Sequence, residues 1–165
     1  MSYIPKYILK RMFPKNKCLK VVKKDGKNYI WVQMVNVLSP ITVPDKIDIG
    51  DFDINTAPDY IDLKINGTDM PVTVEDVKKY VTIWTQGEGY SYDDILEKNK
   101  AAGVTIPVGG KLTLLIDMDY PGAKDAVTGP GEYEVAVDVS IDSPMSVKVK
   151  ANLKDYEVDF DPSDT

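Results

Sequence analysis

The segment Glu132–Ile141 constrains the fold most, because its side chains alternate in kind along its length. Tyr133, Val135, Val137, Val139 and Ile141 share one parity, and Glu132, Glu134, Asp138 and Ser140 share the other. Successive side chains of a strand point to opposite faces, so this pattern buries one face and wets the other, as in an antiparallel sheet. Val104–Val108, Lys111–Met118, Ser146–Leu153 and Tyr156–Phe160 read as further strands. Gly109-Gly110, Pro121-Gly122, Gly129-Pro130-Gly131 and Ser143-Pro144 punctuate them as turns. Between Leu153 and Tyr156 the alternation slips phase, which predicts a turn or a bulge.

The N-terminal part carries strands as well. Leu19–Val22 and Asn28–Leu38 flank Lys24-Asp25-Gly26-Lys27, a hairpin signal. The second of these strands is apolar on both faces, with Ile30, Val32 and Met34 opposite Tyr29, Trp31, Val35 and Val37, which predicts a central strand covered on both sides. Residues 39–58 read as an irregular connection with a short strand at Ile41–Val43. Tyr60–Ile65 alternates, and Asn66-Gly67 turns the chain; the glycosylation sequon at Asn66 is read as that turn.

Helices are expected in three places. Pro5 and Pro14 bound a short one over residues 5–13, with Ile4, Ile8, Leu9 and Met12 on one face and Lys6, Lys10 and Arg11 largely opposite. Thr73, with Asp76 three residues on, caps a helix running to about Thr85, its inner face Val77, Val81 and Trp84. Gly87-Glu88-Gly89 breaks it as a linker, and Ser91 caps a second helix, Tyr92–Ala102, that ends at Gly103.

Together these predict a mainly β chain: an antiparallel β-sandwich, immunoglobulin-like or a related Greek key. Residues 1–17 form a basic arm or short helix, and residues 18–165 one domain with a helical insertion at about 73–103. The segments "IPVGGKLTLLIDM" and "GPGEYEVAVDVSI" resemble paired strands of immunoglobulin-like sandwiches, a resemblance that implies a fold and no activity. The Cys–Trp–Cys core of antibody domains is absent. The opening "MSYIPKYILKRMFPK" resembles that of small uncharacterised archaeal proteins, which implies an archaeal source and no function.

Most catalytic chemistry lacks its usual residues. There is no histidine, and Cys18 is the one cysteine, so the commonest general base and the soft ligands of zinc or iron–sulfur sites are missing. Cys18 reads as a buried strand residue. Gly109-Gly110-Lys111 lies between strands and fails the context of a phosphate loop. Asp117-Met118-Asp119 opens like an EF-hand, but the twelfth position is Thr128 and no bidentate acid follows. A looser calcium site from Asp117, Asp119 and Asp125 stays open, as does a sugar cleft lined by Trp84, Tyr90 and Tyr92. The expectation is no enzyme and no cofactor.

Charge points elsewhere. Residues 1–28 carry nine basic groups against Asp25 alone, while the rest carries 11 basic and 25 acidic groups, within a net charge of −6. A basic arm on an acidic body predicts contact with something anionic. The leading expectation is a non-enzymatic structural or interaction module. It assembles through protein–protein contacts, with itself as a homo-oligomer or with a partner, using Lys6, Tyr7, Lys10, Arg11, Phe13, Lys15 and Lys17. The acidic segment 155–165 makes head-to-tail contact between copies one form of this. Two alternatives remain: a nucleic-acid-associated protein using the same lysines, and a calcium- or carbohydrate-binding module. The N-terminus lacks the apolar core of a signal peptide and the longest apolar stretch falls short of a membrane span, so the expected location is the cytoplasm or a macromolecular assembly.

Overall fold

The computed structural model describes residues 5–45, 59–140 and 145–165. Expectations that rest on Ile4, Ile141, Ser143-Pro144 and most of the 39–58 connection lie outside these residues.

The chain opens with helix α1, Lys6–Met12, which follows Pro5 and runs into Pro14. Strands β1, Leu19–Lys24, and β2, Lys27–Val35, form the expected hairpin. Asp25 and Gly26 between them have φ of 52° and 79°, the left-handed pair of a two-residue turn. Short β3, Ile41–Thr42, precedes β4, Ile61–Ile65, which turns at Asn66-Gly67 into β5, Thr68–Asp69.

The helical stretch departs from expectation. Helix α2, Val74–Tyr80, is capped by Thr73 as predicted but stops five residues early. Val81–Thr85 is strand β6, which turns at Gln86-Gly87 into β7, Glu88–Ser91. A run of valine, threonine, isoleucine and tryptophan suits a pleated surface better than a helix. Gly87-Glu88-Gly89 is therefore part of a hairpin and not a helix linker. The Ser91–Asp94 capping box starts α3, Tyr92–Leu96, which is also shorter than expected.

Next come β8, Thr105–Ile106, then β9, Lys111–Asp117, then a single-turn helix α4, Ala123–Ala126, in what the sequence presents as a loop. The long hairpin of β10, Gly131–Val139, and β11, Met145–Leu153, leads to β12, Tyr156–Asp159. The fold is mainly β. Six strands form one sheet in the order β12-β1-β2-β9-β6-β7, and four form another in the order β11-β10-β4-β5; β3 and β8 pair separately.

The larger sheet is mixed and not purely antiparallel, because β12 runs parallel to β1. The phase slip after Leu153 is the point where the chain leaves one sheet for the other. Residues of both sheets meet in one core: Leu19, Val21, Ile30 and Ile116 from the larger, Ile65, Tyr133, Ala151 and Leu153 from the smaller, closed by Ala123, Ala126 and Val127. On the other face of the larger sheet, Val22, Trp31 and Leu115 are buried against Trp84 and Val158 of the same sheet and Phe160 just beyond β12. β2 is central in this sheet and buries Ile30 on one face and Trp31 on the other, while Tyr29 and Val35 on the Trp31 face are half-buried. Beyond β12, the Phe160 N–H donates to the Lys23 carbonyl and the Gln86 N–H to the Thr165 carbonyl, so the acidic C-terminal stretch lies along the sheet.

Candidate partner-binding groove

Helix α1 is amphipathic and docked. Ile8, Leu9, Met12 and Phe13 are half-buried, while Lys6, Tyr7, Lys10 and Arg11 face solvent. Phe13 packs against the main core. The segment after the helix is tied to β11. The Asn152 N–H donates to the Lys15 carbonyl at 2.8 Å, and Asn152 Nδ2 donates to Asn16 Oδ1 at 3.2 Å. Lys15 Nζ lies 2.9 Å from Glu132 Oε1, and this hydrogen bond holds the Glu132 carboxyl below its ordinary range.

This docking leaves a groove of about 720 Å³ between α1 and β11. Leu9, Phe13 and Val149 supply its apolar floor. Five lysines line it: Lys6, Lys10 and Lys15 from the arm, Lys148 and Lys150 from β11, with Glu134 beside them. Glu134 stands opposite Lys150 in the β10–β11 register. The chemistry is that of a cationic cleft with an apolar base, suited to an anionic ligand that also offers apolar groups.

Four of the seven residues singled out from sequence, Lys6, Lys10, Phe13 and Lys15, meet in this groove. Tyr7 is 68% exposed on the helix, and Arg11 is exposed beside it; neither lines the groove. Lys17 is exposed in the turn that follows and lies apart from it. Lys148 and Lys150 were missed. Their signal is the alternation of Val147-Lys148-Val149-Lys150, which sets both lysines on the wet face of a strand.

Two of the three acidic candidates, Asp117 and Asp119, are engaged by lysines. Lys27 Nζ lies 3.3 Å from Asp117 Oδ2 and 3.8 Å from Asp119 Oδ2, and Lys124 Nζ lies 3.1 Å from Asp119 Oδ1. The hydrogen bond to Asp117 raises the Lys27 pKa, and that from Lys124 lowers the Asp119 carboxyl. Asp125 is exposed on α4. Among the described residues no three histidine, cysteine or acidic side chains gather as a metal ligand set. Trp84 and Tyr92 do not share a cleft: Trp84 packs edge-on to Phe160, whereas Tyr92 lines an apolar groove with Val81 and Ile83. Cys18 is buried, and burial pushes its thiol pKa up, the reverse of an activated thiolate. Among the described residues no helix is long and apolar enough to cross a membrane.

No known protein family matches this sequence, and no curated protein is significantly similar to it.

Proposed function

We propose that this chain is a non-enzymatic β-sandwich interaction module, immunoglobulin-like or a related Greek key, that recognises an acidic protein partner through its basic N-terminal segment. One observation carries the reading: the arm's lysines converge with Lys148 and Lys150 over an apolar floor. Solvated lysines scattered to avoid one another would not supply such a floor. An acidic protein segment offers both carboxylates and apolar side chains, which a bare phosphate backbone does not. The sandwich assignment draws support from the core that both sheets share.

The test uses Lys6→Glu/Lys10→Glu/Lys148→Glu in the full chain. All three residues are exposed, so the variant should fold with little change in stability. A labelled oligo-glutamate should bind the parent protein and lose at least about tenfold in affinity to the variant, with strong salt dependence. Equal binding by both proteins refutes the groove. Tighter binding of a single-stranded oligothymidylate than of oligo-glutamate moves the assignment to nucleic acid. Light scattering of the free protein reports whether the acidic partner is a second copy.

A further inference from the structure

We infer that the free edge of β11 accepts an acidic, extended polypeptide segment as an added strand, laid between β11 and α1. The inference rests on the acidic-partner reading and adds how that partner is held.

Backbone parity gives the edge its chemistry. The Asn66 N–H donates to the Glu134 carbonyl, the Glu134 N–H to Asn66 Oδ1, and Asn66 Nδ2 to the Glu132 carbonyl. The even-numbered residues of β10 therefore turn their backbone groups away from β11, and the odd-numbered ones turn theirs toward it. Val135 pairs with Val149 and Val137 with Val147, so the odd residues of β11 complete that ladder. Ser146, Lys148, Lys150 and Asn152 then face outward. Asn152 agrees, since its N–H reaches the Lys15 carbonyl.

Lys15–Asn16 thus occupies the first rung of this edge, and among the described residues the next three take no backbone hydrogen bond from another segment. Among the described residues no strand pairs with this side of β11. The β10–β11 register runs unshifted from Gly131–Leu153 to Val139–Met145, with no bulge to twist the edge away.

Charge selects the occupant. Two copies pairing through β11 would set Lys148 and Lys150 against the same lysines, which disfavours edge-to-edge self-association. An acidic strand meets Lys148 and Lys150 on one wall and Lys6 and Lys10 on the other. Because strand side chains alternate, acidic residues of one parity reach the lysines while apolar residues of the other enter the floor at Leu9 and Val149.

The experiment compares peptides of alternating glutamate and valine, about six residues long, on the full isotope-labelled protein. Two further peptides carry N-methyl groups on backbone nitrogens of one parity or the other. The parent peptide should bind and protect the Lys148 and Lys150 amides from exchange. One methylated peptide should lose at least about tenfold in affinity while the other does not. Equal affinity of all three peptides, or binding without protection of those amides, overturns the added strand but leaves a basic groove for acidic partners. Failure of both these peptides and oligo-glutamate to bind overturns both readings. Lys150→Pro, which removes an outward N–H and no bond to β10, should weaken the parent peptide to a similar degree. If that variant does not fold, the methylated peptides decide the question on the unaltered protein.

Discussion

Gly89 is a position where two ordinary rules predict opposite signs. It lies in β7, directly across from Trp84 in the register, and its backbone is not in the left-handed region. Replacing a strand glycine with alanine should by itself stabilise by about 0.5–1 kcal/mol, through reduced freedom of the unfolded chain. A Cβ at Gly89, however, would sit 2.6 Å from both Cε2 and Cζ2 of the Trp84 ring. The indole cannot simply swing aside. Its Nε1–H donates to Thr82 Oγ1 at 2.9 Å, and the Phe160 ring stands 4.9 Å away, centroid to centroid, at 67°. Overpacking of this kind costs about 1–3 kcal/mol, so the clash outweighs the propensity gain. Gly89→Ala should therefore destabilise by about 0.5–2 kcal/mol, a fall in Tm of roughly 1–8 °C for a chain of this size. Urea unfolding measures it. In a Trp84→Leu background the same substitution should be neutral or mildly stabilising, a coupling of about 1–2 kcal/mol. A stabilised Gly89→Ala, or the same cost in both backgrounds, would refute the argument that the indole is pinned.

Three further outcomes follow from the core and its turns. Tyr120 is 4% exposed and donates to the Pro71 carbonyl; burial first, then the charge of Asp76, pushes its pKa up to about 12. The folded state thus keeps this proton after the unfolded chain releases it near pH 10. Its stabilisation is complete below that pH and is lost as pH rises toward 12, so Tyr120→Phe should flatten the alkaline stability profile measured in urea. Asn66 has φ of 48° and bonds Glu132 and Glu134 through its side chain. Asn66→Ala should cost about 1 kcal/mol more than Asn66→Gly, and equal costs would show that the backbone conformation is not the cause. Cys18 is 2% exposed with a raised pKa, so its alkylation at mildly alkaline pH should follow unfolding through a urea series; rapid reaction in the native protein would contradict its burial.

What the sequence made legible was local. Alternation marks β10 and β4, the left-handed pairs Asp25-Gly26 and Asn66-Gly67 mark their hairpins, and Pro5 and Pro14 bound α1. β6 was misread because Val77, Val81 and Trp84 recur at helical spacing behind a good N-cap. That spacing is also met by a helix that ends at Tyr80 and a strand that begins at once. The parallel pairing of β12 with β1 joins segments from opposite ends of the sequence, and no local pattern encodes it. The groove was half legible for the same reason. Charge density marked Lys6, Lys10 and Lys15, but Lys148 and Lys150 look like any wet strand face until α1 is docked beside them.

That docking changes how the arm can be studied. Removing residues 1–17 looks like the natural test of a binding arm, but it also strips Phe13 from the core and frees the edge of β11 at Asn152. Loss of binding would then be confounded with loss of packing, whereas charge reversal at exposed lysines leaves both intact. The body's acidity supplies a second discrimination. The exposed carboxylates of Asp155, Glu157, Asp159, Asp161 and Asp164 belong to the C-terminal stretch laid along the larger sheet, while the groove lysines gather at β11 of the smaller one. At physiological ionic strength, charges more than about 8 Å apart are largely screened, so a short acidic peptide in the groove feels its five lysines and Glu134 more than the C-terminal carboxylates. As salt falls, the peptide should bind more tightly throughout. A long duplex would also meet the body's growing repulsion, so its salt slope should be shallower than its phosphate contacts alone imply.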